Sequence, residues 1–240
     1  GDVIVIGGAA GMTGAALLAG HAALHGGAGR VLLGLLDETA RDHCAVAHPT
    51  LMVRAIQELN SRDATVVCGC GGGDAVRLVM PRWISEAEAL VIDADGLNAL
   101  HDDSLMQLLT QRQARNRRTI LTPHPLEAAR LLRSDVATVQ RDRIHAAQTL
   151  AQMTRSVVVL KGSGSVIAQV GSQPTINFTG NAKLATAGSG DVLAGLIGAY
   201  LAQGMPALDA ACIATARHGA AADDWPQNEP FDAWRLAQNV

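Results

Sequence analysis

Apolar and polar positions along the chain follow two periods. Short runs rich in β-branched or apolar residues recur at residues 2–6, 30–36, 65–68, 90–93, 119–122, 157–160 and 165–170, and each predicts a strand. Segments with apolar residues at helical spacing fall at 13–25, 51–59, 104–115, 126–132 and 136–153. Strands alternating with helices make βαβ units, so the expected class is α/β, with a mainly parallel sheet covered by helices on both faces. The last two strands are separated only by residues 161–164, which reads as a hairpin and gives the sheet an antiparallel part. Polar or glycine-rich residues end several strands, at 7–8, 69–73, 93–95, 122–124 and 161–164. Ligands in open parallel sheets bind at the carboxyl ends of the strands, so these tips should line one crevice. Residues 1–240 read as a single domain, and the tail 223–240 is the one compositional shift.

The strongest local signal is NAKLATAGSGD at 181–191, running into the apolar segment VLAGLIGAYLAQG. A helix beginning there leaves its first N–H groups without intrahelical partners and carries partial positive charge at that end. Gly188 and Gly190 bring the backbone close to a ligand, and Asp191 sits in the first turn, within reach of an anion or a hydroxyl. On these residues alone, a phosphate site with a general base and an ordinary capped turn both fit. Lys161-Gly162-Ser163-Gly164-Ser165 is either a flexible hairpin turn or a second glycine-rich wall of the same crevice, bearing a cation. Prolines on both sides of His124 force an extended exit from a strand and fix that histidine, as a ligand contact or as a kink at the surface.

Composition narrows the classes of function. The 240 residues are 48% apolar, enough for a substantial core. A net charge of −3 and 2% aromatic residues supply neither the electrostatic pull nor the stacking platforms that nucleic-acid binding needs. No apolar run approaches a bilayer span, and no membrane partner is expected. The chain enters a strand at once without a signal-peptide pattern, which leads us to expect a cytoplasmic protein with an N-terminal piece missing. Cys44, Cys68, Cys70 and Cys212 lack Cys-x-x-Cys spacing and suit a reducing compartment. The opening glycines run Gly8-x-x-Gly11-x-x-Gly14, not G-x-G-x-x-G, and there is no P-loop. His21 and His25, four residues apart without a third ligand, read as half-exposed helix histidines.

The ordered segments GAALLAG, VIDADGLNAL, LTPHPLEAARLL, VVLKGSGSVIA and GNAKLATAGSGDVLAGLIGAYLAQG, spread over residues 3–219, closely resemble the NAD(P)H-hydrate dehydratases, a branch of the ribokinase-like superfamily. The resemblance implies a ribokinase-like three-layer αβα sandwich and repair of NADHX and NADPHX, the hydrated reduced nicotinamide cofactors. ADP, or ATP in eukaryotic members, phosphorylates the ring hydroxyl of the S-epimer, and elimination of the phosphate restores NADH or NADPH; with ADP, AMP and phosphate are released. Asp191 then resembles the catalytic base, and Gly188, Ser189 and Gly190 the anion hole. Lys161, Gly162, Ser163, Gly164 and Ser165, with Gly190, resemble the adenine-nucleotide site. Ala15, Gly71, Gly73 and His124 would contact the hydrated nucleotide together with Asp191, while Glu127 and Asp95 would hold Mg²⁺ through water. The family also implies a homo-oligomer, a tetramer, for which the tail from Trp225 could serve an interface.

The chain departs from the family pattern at three places. Gly69-Cys70-Gly71-Gly72-Gly73 replaces Gly-Pro-Gly-Leu-Gly, which predicts a looser loop. Leu126 stands for a glycine and could narrow the crevice, and Asn181-Ala182-Lys183 replaces Asn-Pro-Gly, putting Lys183 near the phosphates or in solvent. Two other functions compete with the dehydratase: a small-molecule kinase of the same superfamily, which would release a stable phosphoester, and a non-catalytic nucleotide-binding relative.

Overall fold

Val3 and Val5 point to one side of β1 (Asp2–Gly7) and Ile4 and Ile6 to the other, and all four are buried, in two different cores. The same split recurs along the chain, with Val67, Val91, Val157 and Val159 on the first side and Val66, Leu90, Ile92, Val158 and Leu160 on the second. A strand apolar on both faces must be covered twice, which is the condition for an interior parallel sheet.

The computed structural model describes the whole chain, Gly1–Val240. After β1 come α1 (Thr13–His25), β2 (Arg30–Leu35), α2 (Arg41–Ala47), β3 (Met52–Val53), β4 (Ala64–Cys68), α3 (Val76–Glu86) and β5 (Ala89–Ile92). The middle of the chain forms α4 (Asp95–Ala99), α5 (Asp103–Ala114), β6 (Arg118–Leu121), α6 (Pro125–Leu131), α7 (Val136–Arg141) and α8 (Arg143–Thr154). It ends with β7 (Val157–Leu160), β8 (Val166–Ala168), β9 (Thr175–Ile176), α9 (Ser189–Ala202), α10 (Ala207–Asp223) and α11 (Ala233–Ala237). The nine strands lie in the order β3-β2-β1-β4-β5-β6-β7-β8-β9, parallel through β7 and antiparallel from β7 to β9. Residues of α1, α9, α10 and α11 fill the first core, and those of α3 to α8 fill the second. The expected three layers and antiparallel hairpin are both present. No helix is long and apolar enough to cross a membrane.

Several expectations need correction. Residues 51–59 do not form a helix: Met52 and Val53 pair with Leu32 and Leu33 of β2, and only Ile56–Glu58 coils, as a 3₁₀ turn. Sheet pairing overrides the local helical pattern there. The single helix expected over 136–153 is two, because Asp142 takes φ −142° and its carboxylate caps α8 at His145 N–H, 2.9 Å away. His21 is buried rather than half-exposed, bonded to His48 at 3.1 Å and flanked edge-on by Trp234, whereas His25 is exposed. In the tail, Trp225 packs against Phe231 of its own chain and is buried, while Trp234 is 40% exposed.

Candidate active site

Helix α9 begins where the sequence placed it. Gly188 adopts φ +89°, a conformation that favours glycine, and a Cβ there would lie 2.5 Å from Leu18 Cδ1. The turn sets the start of the helix beside Lys161, Asp93 and Cys70, which follow β7, β5 and β4, and Asp191 falls in its first turn. Ser189 N–H is taken by the Thr186 carbonyl at 3.3 Å, while the N–H groups of Gly188, Gly190 and Asp191 have no acceptor within the protein. Donors left over at a helix start form an anion-binding surface. Ser189 is anchored twice more: its hydroxyl donates to the Leu184 carbonyl at 2.7 Å, and its own carbonyl accepts from His218 Nε2 at 2.9 Å. Burial holds the His218 pKa down at about 4, so the imidazole is a neutral prop.

Opposite the helix start lies a buried ion pair. Lys161 Nζ donates to Asp93 Oδ1 at 2.6 Å, and the Thr122 hydroxyl donates to the same oxygen at 2.7 Å. The side chains of Lys161 and Asp93 are 18% and 2% exposed, so the Coulomb attraction is little screened. Burial works against the Lys161 ammonium, but Asp93, Glu127 and Asp191 together hold its pKa above the ordinary value. Gly190 is the nearest point of the helix: a Cβ on it would sit 3.2 Å from Lys161 Nζ and 3.8 Å from Asp93 Oδ2. Asp191 is raised to about 7, first by burial and then by the charge of Asp93. A carboxylate with that pKa is poised to accept a proton near neutrality. The Cys70 thiol and the Asp93 and Asp191 carboxylates lie within 4.8 Å of one another, and burial beside the two acids keeps Cys70 a protonated thiol.

The remaining predicted residues fall into two groups. His124 caps α6 in a capping box: its Nδ1 accepts from Leu126 N–H and Glu127 N–H, while the Glu127 carboxylate accepts from His124 N–H at 2.8 Å. Burial raises Glu127 to about 7. Burial and then Lys161 lower the His124 pKa. Leu126, feared as an obstruction, is 44% exposed and lines neither of the cavities described below. Ala15, Gly71 and Gly73 come together on the far side of the crevice, where a Cβ on Gly71 would lie 2.8 Å from Ala15 Cβ. The Gly69–Gly73 loop is pinned rather than loose: Cys70 and Gly71 carbonyls accept from Gly8 and Ala9, and Gly73 N–H donates to Asp95 Oδ2 at 2.8 Å. Lys183 Nζ donates to the Trp225 carbonyl at 3.2 Å, and the residue lines neither cavity.

Two cavities meet at Lys161, Gly162, Ser189 and Gly190. One, about 440 Å³, is lined by the Lys161–Ser165 turn together with Asn177, Thr179, Asn181, Thr215 and His218. The other, about 430 Å³, is lined by Asp93, His124, Glu127 and Asp191. Sequence reasoning brought Lys161, Gly188–Gly190 and Asp191 together correctly as neighbours. It placed Asp93 only among the strand tips expected to line the crevice, without its pairing to Lys161, and it missed the wall supplied by Asn177, Thr179, Thr215 and His218.

Comparison with known proteins identifies the family. A family model described as NAD(P)H-hydrate dehydratase matches residues 3–238. An ADP-dependent (S)-NAD(P)H-hydrate dehydratase of Neisseria meningitidis is 43% identical over 246 residues, covering 100% of this chain and 82% of its own. The bifunctional NAD(P)H-hydrate repair enzyme Nnr of Escherichia coli is 37% identical over 230 residues, but the match spans only 43% of that longer protein and 93% of this one. Among solved structures, the ADP/ATP-dependent NAD(P)H-hydrate dehydratase of Bacillus subtilis, co-crystallised with ATP and Mg²⁺ and soaked with CoA, superposes with a TM-score of 0.83. It is 28% identical and covers 99% of this chain and 88% of its own. A Bacillus subtilis pyridoxal kinase in complex with ADP shares the fold alone, with a TM-score of 0.61 at 19% identity over 95% of this chain and 93% of its own.

Proposed function

The chain belongs to the NAD(P)H-hydrate dehydratase family, and from that premise we propose that it dehydrates the S-epimer of NADHX and NADPHX to NADH and NADPH at the expense of ADP. The observation that carries the reading is the meeting of the two cavities at Gly190, between a helix start with free N–H groups and the Lys161–Asp93 pair, with Asp191 on the charged side. ADP occupies the cavity of the Lys161–Ser165 turn, with its terminal phosphoryl group at Gly188–Gly190. The hydrated nicotinamide lies in the other, against His124, with Ala15, Gly71 and Gly73 contacting the rest of the dinucleotide.

Asp191 accepts the proton of the ring hydroxyl as its oxygen bonds to phosphorus, and the bond from phosphorus to AMP breaks. Charge spread over the phosphoryl oxygens is met by the free N–H groups of the helix start and by Lys161, which Asp93 and Thr122 hold in place. The C–O bond of the phosphate ester then breaks, phosphate leaving with the bonding pair, a neighbouring carbon gives up a proton to water, and the dihydropyridine is restored. Mg²⁺ would neutralise phosphate charge, and hard oxygen donors suit it. Glu127, a carboxylate on the charged cavity's wall, fits that role through water; Asp95, which holds the Gly73 loop, is the second candidate. We place the enzyme in the cytoplasm, as a tetramer, and take ATP as a possible alternative to ADP.

The test is to mix the protein with NADHX and ADP and follow both the reduced-nicotinamide absorbance and phosphate. Returning absorbance with one free phosphate and one AMP per NADH supports the dehydratase. A stable phosphoester without that return would make it a kinase, and ADP binding with untouched NADHX a non-catalytic relative.

A further inference from the structure

The turn between β7 and β8 has no P-loop chemistry, yet it forms one wall of the cavity that Asn177, Thr215 and His218 complete. Its shape is set from behind by Arg143, the first residue of α8. One terminal nitrogen of that guanidinium, Nη2, faces the carbonyls of Leu160 at 3.1 Å, Lys161 at 3.4 Å and Gly164 at 3.2 Å. The other, Nη1, donates to Gln140 Oε1 at 3.2 Å. Gly162 takes φ +146°, and a Cβ there would collide with the guanidinium. Arg143 lines neither cavity, and its terminal nitrogens are spent on carbonyl and amide oxygens rather than on a carboxylate.

We propose that Arg143 is a positioning residue for the nucleoside diphosphate: by drawing the carbonyls of the turn away from the cavity it fixes the face that Lys161–Ser165 present to the ligand. Three carbonyl oxygens turned toward the cavity would repel a polyphosphate, and a guanidinium behind the turn both removes them and adds an uncompensated positive charge. Lysine cannot replace it fully, because a compact ammonium lacks the planar fork that spans the carbonyls and Gln140 at once. The role is separate from proton transfer, since Arg143 touches neither Asp191 nor Asp93.

The inference rests on the nucleotide reading above, and the test separates the two. ADP is titrated calorimetrically into wild type, Arg143→Lys, Arg143→Gln and Arg143→Ala, and kcat and KM for ADP are measured on the same samples. The expected result is a dissociation constant and KM raised about tenfold or more in Arg143→Ala and less in Arg143→Lys, with kcat at saturating ADP within about threefold of wild type. Amide exchange at residues 162–165 should quicken in the same order. If Arg143→Ala does not fold, the Lys and Gln variants decide by the same split. Wild type that binds ADP while folded variants bind it equally well overturns the role of Arg143 alone. Wild type that binds no ADP overturns the nucleotide reading and this inference with it.

Discussion

The two cavities share a wall and are of nearly equal volume, but their linings differ in chemistry. The one along the Lys161–Ser165 turn is lined mainly by glycine, serine, threonine and asparagine, with Leu184, Leu193 and the neutral His218, and Lys161 is its one charged side chain. The one beyond Gly190 gathers Asp93, Glu127, His124 and Asp191, and burial pushes two of those carboxyls up to about 7. A neutral surface of main chain and short polar groups can bind a ligand without favouring one stage of a reaction. Buried carboxylates whose charge is costly can change protonation during one. On the proposed reading, affinity belongs to one cavity and chemistry to the other.

The largest departure should come from Asp191→Asn, which removes the proton acceptor and keeps its shape. Turnover is expected to fall by about 10³-fold or more, as measured by the return of reduced-nicotinamide absorbance. Without ligand the variant should be more stable than wild type at pH 8, by about 1–3 kcal/mol in denaturant titration, because a carboxylate held above its ordinary pKa is a destabilising charge. Equal stability would mean that Asp191 is not poised as described.

Lys161→Met strikes both cavities at once. It leaves Asp93 buried without its cation, so a stability loss of about 3 kcal/mol should accompany loss of both ADP binding and turnover. A variant impaired in only one of the two would separate the cavities more sharply than the shared wall implies. Gly190→Ala is the milder probe at the same point: its Cβ would lie 3.2 Å from Lys161 Nζ, the end of a flexible side chain. We expect about a 10- to 100-fold loss in kcat/KM with little change in melting temperature.

How much of this was legible in the sequence follows from the range of each interaction. Gly188, Ser189, Gly190 and Asp191 are consecutive, and their chemistry is a property of one turn, so they could be read in place. The His124–Glu127 capping box is equally local, since both of its hydrogen bonds close within one turn. The Lys161–Asp93 pair joins residues 68 apart, and nothing local to either marks the other. Arg143 reaches back to a turn some twenty residues on, and the wall from Asn177 to His218 forms only when α10 packs. The helix expected over 51–59 failed for the same reason, since β2 offers Met52 and Val53 a pairing that their own neighbours do not announce.

Two pH effects refine the contrast with smaller changes. If Asp191 must be ionised, kcat/KM for NADHX should rise as pH climbs through about 7 in wild type, measured at saturating ADP. For stability, His21 and His218 are held at about 4, so the unfolded chain binds more protons between about 6.5 and 4 and stability is lost as pH falls through that window. Asp191 and Glu127 act with the opposite sign: raised to about 7, they bind protons in the fold first, and their contribution grows as pH falls from about 7 toward 4. Asp191→Asn removes one of the offsetting groups, so its melting temperature should drop more steeply than that of wild type between pH 7 and 5. Parallel curves would contradict that balance.

The separation of affinity from chemistry is tested most directly by titrating ADP into wild type and Asp191→Asn under identical conditions. The account predicts dissociation constants within about threefold of each other, because the nucleotide rests on main chain and on Lys161 rather than on the missing carboxylate. A tenfold or greater loss of ADP affinity in the variant would contradict it.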